Sequence, residues 1–157
     1  MIEGDFRPPW YLRPALLQSM LNSSGFRNPR LTAIAAVEEE LIVDAGEGVR
    51  LQGFISRRRD GAAKGLVILL HGWEGSARSA YVLSAGEYLY ARGYDVFRLN
   101  YRDHGDSHHL NEGLFLGTLI DENFAAVRYA AGLGERSFLV GFSLGGSFAA
   151  RMAARCA

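Results

Sequence analysis

The stretch Val140-Gly141-Phe142-Ser143-Leu144-Gly145-Gly146 decides how the rest of the chain is read. Gly141, Ser143 and Gly145 fit G-x-S-x-G, the pattern of a serine held at the tip of a sharp turn from strand to helix. Three fixed positions are weak evidence in a chain with 19 glycines, so the flanks must decide. Upstream, Phe138-Leu139-Val140 is a short apolar strand; downstream, Phe148, Met152 and Cys156 recur at helical spacing and are expected to face inward. At such a turn the serine backbone is strained, and only glycine at 141 and 145 lets strand and helix approach closely. The alternative is Ser143 as a plain helix cap, with Gly145 and Gly146 forming a packing notch.

Working outward, Leu66-Val67-Ile68-Leu69-Leu70 is a continuous apolar run broken by His71-Gly72, the signature of a strand buried on both faces. Ser76 is expected to cap a helix with Tyr81, Ala85, Tyr88 and Leu89 on one side, ending at Gly93. Tyr94 to Leu99 predicts the next strand, and Asn100 to about Gly113 a polar loop. Thr118 to Ala131 predicts a helix with Ile120, Phe124, Val127 and Ala131 in a stripe. Nearer the start, Ala36 to Val43, a turn at Asp44 to Gly48, and the alternation of Val49, Leu51, Gly53 and Ile55 predict a hairpin with one wet face. The sum is α/β: a mostly parallel, doubly wound sheet that opens with an antiparallel hairpin. Dinucleotide-binding folds open directly on a parallel βαβ unit, whereas the α/β-hydrolase fold opens with an antiparallel pair. A stand-alone, five-stranded flavodoxin-sized sheet is the other solution.

Composition bounds the rest. The chain of 157 residues fits one domain, and with 48% apolar and 22% charged residues it has an ordinary globular profile. Lys plus Arg balance Asp plus Glu at 17 each, so nothing suggests nucleic acid or an anionic membrane as partner. Cys156 stands alone, which excludes a disulfide framework and fits a small apolar residue on a helix face. The opening MIEGDFRPPWYLRP lacks the layout of a secretory signal, and no run reaches membrane-span length, so a cytoplasmic location is expected. Residues 1–32, rich in Pro, Arg and aromatics, read as an N-terminal arm. Their helical candidate is Pro14 to Leu21, with Leu17, Met20 and Leu21 on one side; residues 33–157 are the core.

A serine nucleophile needs an oxyanion hole and a base. In α/β-hydrolases one oxyanion donor follows the nucleophile, here the N–H of Leu144, and the other comes from the loop after the third strand, here the N–H of Trp73 in His71-Gly72-Trp73-Glu74-Gly75. His71 is expected to brace that loop. The Trp73 ring is expected either to line an acyl pocket or to pack against the first core helix. In Asn100-Tyr101-Arg102-Asp103-His104-Gly105-Asp106-Ser107-His108-His109, three histidines and two aspartates invite a metal-site reading, but the spacing matches no helix-borne ligand pair. Arg102 to Ser107 looks instead like the arginine-glycine-histidine-glycine-x-serine turn after the fourth strand of many α/β-hydrolases, with Asp103 in place of the first glycine. His108 and His109 have no precedent there as the base. No metal and no cofactor are expected.

Taken together, the sequence resembles the YheT-type, EMB8-like α/β-hydrolases, a subgroup of predicted esterases. Phe6-Arg7-Pro8-Pro9-Trp10-Tyr11-Leu12-Arg13 and Leu17-Gln18-Ser19 are similar to its opening motif, with the Asn-Pro-His piece degraded to Pro14-Ala15-Leu16. His71-Gly72-Trp73-Glu74-Gly75-Ser76, Asn100-Tyr101-Arg102 and Gly141 to Gly146 continue the likeness. The resemblance implies a serine hydrolase of short-chain carboxylic esters working through an acyl-enzyme. Ser143 is then the nucleophile, Trp73 and Leu144 supply the oxyanion donors, and Gly72 and Trp73 meet the substrate. It also implies that the triad Asp and His lie on loops after later strands, past Ala157, so the chain is expected to be the N-terminal part of a hydrolase. The nucleophile strand would then be an open edge, a route to self-association. The competing reading is a non-catalytic remnant or interaction module that pairs through that edge.

Overall fold

The computed structural model describes residues 7, 9–23 and 33–156. Phe6 and Pro8 of the opening motif, and the side chains of Ser19 and Leu21, lie outside the described residues. A short 3-10 turn, Trp10–Leu12, precedes α1 (Ala15–Ser23), on which Leu16, Leu17 and Met20 are exposed.

After α2, a single turn (Ala33–Ala36), come β1 (Glu38–Asp44), β2 (Arg50–Ser56), β3 (Leu66–Leu70), α3 (Ala80–Ala91), β4 (Asp95–Leu99), α4 (Ile120–Ala131), β5 (Ser137–Gly141) and α5 (Leu144–Cys156). The five strands form one sheet in the order β1-β2-β4-β3-β5. The first two pairings, β1 with β2 and β2 with β4, are antiparallel; β3 pairs parallel with β4 on one side and β5 on the other. Alternation along β3 serves two cores, because successive side chains point to opposite faces. Leu66, Ile68 and Leu70 pack with Ile120, Phe148 and Met152 of α4 and α5, while Val67 and Leu69 pack with Val82 of α3. Among the described residues no helix is long and apolar enough to cross a membrane.

Four expectations need correction. The hairpin has no wet face on β2: Gln52, Phe54 and Ser56 are as buried as Leu51 and Ile55, since α2, Asn100 and the guanidiniums of Arg78 and Arg98 lie against that face. The polar members survive burial by pairing, as buried polar groups must. Gln52 donates to Glu40 and accepts from Asn100, and Ser56 donates to the carbonyl of Ile34. Ser76 does not cap α3; Ser79 precedes its first turn, and Ser76 instead accepts from the N–H of Arg78. The buried side of α3 is Val82, Leu83 and Gly86, with Tyr81 and Tyr88 outside. Cys156 is exposed, because the last turn of α5 runs past the core that holds Phe148 and Met152.

Candidate active site

Ser143, at the junction of β5 and α5, takes φ 52°, a left-handed conformation that costs a residue with a side chain of order 1–3 kcal/mol. Surrounding bonds impose it. The N–H of Phe142 donates to the carbonyl of Leu70 (3.0 Å), that of Gly145 to Phe142 (2.9 Å) and that of Ser147 to Ser143 (3.1 Å). Gly145 is pressed against the end of β3: a Cβ there would lie 2.5 Å from the Leu70 oxygen and 2.6 Å from that of His71. Ser143 is exposed, and its hydroxyl has no hydrogen-bond partner among the described residues.

The loop after β3 closes over this turn. A Cβ on Gly72 would lie 3.3 Å from the Phe142 oxygen and 3.4 Å from Cβ of Ser143, so the two backbones are in contact. Gly72 donates its N–H to the hydroxyl of Tyr81 (2.8 Å), whose ring packs edge-on against Phe142 at 5.0 Å. The loop then turns tightly, with Glu74 at φ 53° and the N–H of Gly75 on the Gly72 carbonyl at 3.1 Å. Among the described residues neither the N–H of Trp73 nor that of Leu144 has an acceptor. For Leu144 the reason is general: the first N–H groups of a helix have no intrahelical partner. Ser143, Gly72, Trp73 and Leu144, picked out from the sequence, thus come together at one end of the sheet.

His71 braces the loop. Its buried ring contacts the Gly72 carbonyl through Nδ1 (2.7 Å) and takes the N–H of Tyr101 on Nε2 (3.4 Å), which fixes the proton on Nδ1. Tyr101 returns its hydroxyl proton to the His71 carbonyl at 2.9 Å. Burial, with a smaller contribution from His104, lowers the imidazole pKa to about 4.

The loop after β4 is knitted to its neighbours by Asn100, which accepts from the N–H of Ala77 (2.6 Å), and by Arg102, which pairs with Glu122 of α4 at 2.6 Å. Asp103 occupies φ 60°, the conformation for which the related turn uses glycine. Its carboxylate meets Nδ1 of His108 at 2.5 Å. The His104 ring packs on His71 (5.0 Å) and Phe115 (4.6 Å), and His109 is exposed. Among the described residues no three metal-ligating side chains converge. The Trp73 ring is 61% exposed and meets Phe115 edge-on at 5.9 Å, not α3. Trp73, Phe115 and the Asp103–His108 pair line one cleft of about 440 Å³.

Sequence reasoning missed Tyr81 as a tether and Asp103–His108 as a pair. Tyr81 was legible only as part of an apolar helix face; the five-residue spacing of Asp103 and His108 says nothing until the loop is folded. Tyr81→Phe removes the acceptor for the Gly72 N–H, and urea unfolding should show a loss of about 1 kcal/mol. An unchanged midpoint would mean that the hydroxyl does not hold the loop.

Comparison with known proteins places this arrangement. The family model described as alpha/beta hydrolase fold matches residues 65–155. A Synechocystis protein named "Putative esterase slr0264" is 30% identical over 153 residues, covering 90% of this chain and 40% of that protein. The Pyrococcus furiosus esterase Pf2001 superposes with a TM-score of 0.61 at 27% identity, over 73% of this chain and 45% of that one. XC6422 from Xanthomonas campestris, described as an α/β serine hydrolase without lid, gives 0.62 at 24% identity over 75% and 56%, a likeness of fold. The chain therefore spans 40% to 56% of the length of these relatives. With a strand order that sets β3 between β4 and β5, and a family match across β3 to α5, the chain belongs to the alpha/beta hydrolase fold family.

Proposed function

We propose that this chain carries the nucleophile and oxyanion hole of a YheT-type serine hydrolase that cleaves carboxylic esters, short-chain ones among them, in the cytoplasm. Residues 1–32 form its arm and 33–157 the core. Ser143 Oγ attacks the ester carbonyl carbon, the N–H groups of Trp73 and Leu144 hold the developing oxyanion, and Gly72 and Trp73 border the acyl group. The alcohol leaves with a proton, and water then releases the acid. The observation that carries this reading is the exposed Ser143 at φ 52° beside two N–H groups that have no acceptor among the described residues. His71, with both ring nitrogens engaged, is not the base. No histidine among the described residues bonds to Ser143, so the proposal gives proton transfer to groups outside the described set. No metal or cofactor enters it.

Removing triad members still leaves roughly a thousand- to ten-thousandfold catalysis over water. A fluorophosphonate probe is therefore expected to label the chain slowly at Ser143, and labelling should vanish in both Ser143→Ala and Ser143→Gly. Ser143→Gly should also raise stability by about 1 kcal/mol, since glycine adopts positive φ without strain. Labelling no faster than in Ser143→Ala overturns the reading.

One observation favours a second reading, a module that pairs through its sheet. Among the described residues β5 has β3 as its single neighbour, and Phe138 on it is 41% exposed. An unpaired edge templates association. Concentration-dependent dimers in analytical ultracentrifugation, without labelling, would favour this reading over the first.

A further inference from the structure

Arg98, near the end of β4, is a buried charge that the proposed chemistry does not use. Its side chain is wholly inside, and its Nε has no hydrogen-bond partner among the described residues. A buried ion pair is weak grounds for stability, because well-packed apolar side chains in its place are often as good or better. Its partners say what else the charge does. Nη2 meets Glu38, which also takes Arg78 at 2.7 Å, and Nη1 donates to the carbonyl of Ala77 at 3.1 Å. Two residues on, Asn100 accepts the N–H of the same Ala77 at 2.6 Å. Ala77 is itself fully buried and lies in the loop between β3 and α3, where no ladder supplies partners, so two side chains from one strand end satisfy its backbone. Neither can drift. Asn100 donates to Gln52 (2.6 Å) and Gln52 to Glu40 (2.7 Å), while Gly105 packs so close that a Cβ there would run into the Asn100 amide. Between Ala77 and Trp73 the loop is stiff, with the N–H of Gly75 on the Gly72 carbonyl (3.1 Å) and the N–H of Ser76 on the Ser79 hydroxyl (2.9 Å). A shift at Ala77 is therefore passed back to Trp73.

We propose that Arg98 and Asn100 are positioning residues, which grip Ala77 by its carbonyl and its N–H and so set where the N–H of Trp73 stands beside Ser143. Neither touches the reacting atoms. This deepens the reading of Trp73 as an oxyanion donor and rests on it for the role of the grip in turnover, but the grip itself is measurable without Ser143.

The test compares Arg98→Met with Arg78→Met in the whole chain. Arg98→Met removes the donor to Ala77 but leaves Glu38 paired with Arg78, so no carboxylate is orphaned. Arg78→Met takes the other partner from Glu38 and the cation from over the Phe54 ring (4.5 Å), while Ala77 keeps both its bonds. The chain has two tryptophans, so with Trp10→Phe and 15N-tryptophan the one backbone amide signal is that of Trp73. Its order parameter should be about 0.85 in the parent and in Arg78→Met, and below about 0.6 in Arg98→Met. Asn100→Ala removes the second point of the grip and should loosen the same amide, which keeps the test decisive if Arg98→Met does not fold. Outright loss of an oxyanion donor costs about a hundred- to a thousandfold, and a displaced one less. Fluorophosphonate labelling of Ser143 should accordingly fall about tenfold in Arg98→Met and stay within about twofold in Arg78→Met, at a temperature where both are folded. A Trp73 amide as ordered as the parent's in the folded variants of Arg98 or Asn100, or one loosened equally by Arg78→Met, overturns the proposal. So does a loosened amide with labelling at the parent's rate. If the parent itself is not labelled, the reading of Ser143 falls, and the Trp73 amide still decides the grip.

Discussion

Gly145→Ala should yield little folded protein, whereas Gly146→Ala, one residue on, should be nearly silent. The added Cβ at 145 would stand 2.5 Å from the carbonyl oxygen of Leu70 and 2.6 Å from that of His71. Both obstacles are backbone at the end of β3, which β4 and β5 hold from either side. No rotamer change can clear them, so either α5 lifts from the sheet or β3 bends. Overpacking typically costs about 1–3 kcal/mol and occasionally more. A clash with fixed backbone belongs at or beyond the top of that range, a large share of a total of roughly 5–15 kcal/mol. At Gly146 a Cβ would come no nearer than 3.3 Å, to the Gly141 oxygen, and the helix-propensity gain of alanine, up to about 1 kcal/mol, works in its favour. Urea-unfolding midpoints of the soluble fractions decide. If the two variants shift alike, the close approach of helix to strand does not govern stability here.

The same geometry explains why the motif is spaced as it is. A Cβ on Gly141 would meet the carbonyl of Gly145 itself, so the two glycines are needed against each other as well as against β3. This much was legible in the sequence, because a strand that must reverse into a helix within three residues leaves no room for side chains at either shoulder. The two-faced burial of β3 was legible for a similar reason: five consecutive apolar residues allow no wet side. What could not be read were features set by partners distant in the chain. The polar members of β2 looked solvent-facing, yet Asn100 meets Gln52 in the interior, and only the placement of β4 beside β2 reveals it. Tyr81 looked like a core aromatic, and its role depends on where the N–H of Gly72 arrives from β3. Asp103 was visible as a substitution for glycine; that its carboxylate would hold His108 depended on the 3-10 turn at His108–Leu110.

Acidification should weaken the fold between about pH 6.5 and pH 4, through His71. Its pKa falls from the ordinary 6.5 to about 4, chiefly because burial penalises the charged ring and secondarily because His104 is near; the Gly72 carbonyl pulls the other way. In the unfolded chain the ring takes up its proton near pH 6.5, whereas the folded protein refuses it until about pH 4. Across that window the unfolded state binds more protons, so stability rises with pH and is lost as pH falls. A tenfold difference in proton affinity between the two states corresponds to about 1.4 kcal/mol, giving roughly 3 kcal/mol from pH 7 to pH 4. Above 6.5 His71 contributes no slope. Asp103 acts in a different range: its depressed pKa contributes stability that is lost only as pH falls below about 3.8. Urea-unfolding free energies measured at intervals from pH 7.5 to pH 4 should therefore slope in the parent and flatten in His71→Asn, whose amide can still donate to the Gly72 carbonyl. A slope of equal size in both would assign the acid sensitivity elsewhere. The consequence for the site is direct. A proton on Nε2 sets a donor against the N–H of Tyr101, so the ring that joins the loops after β3 and β4 is driven out. The N–H of Trp73 is positioned by that loop, and acid should scatter the site before it unfolds the sheet.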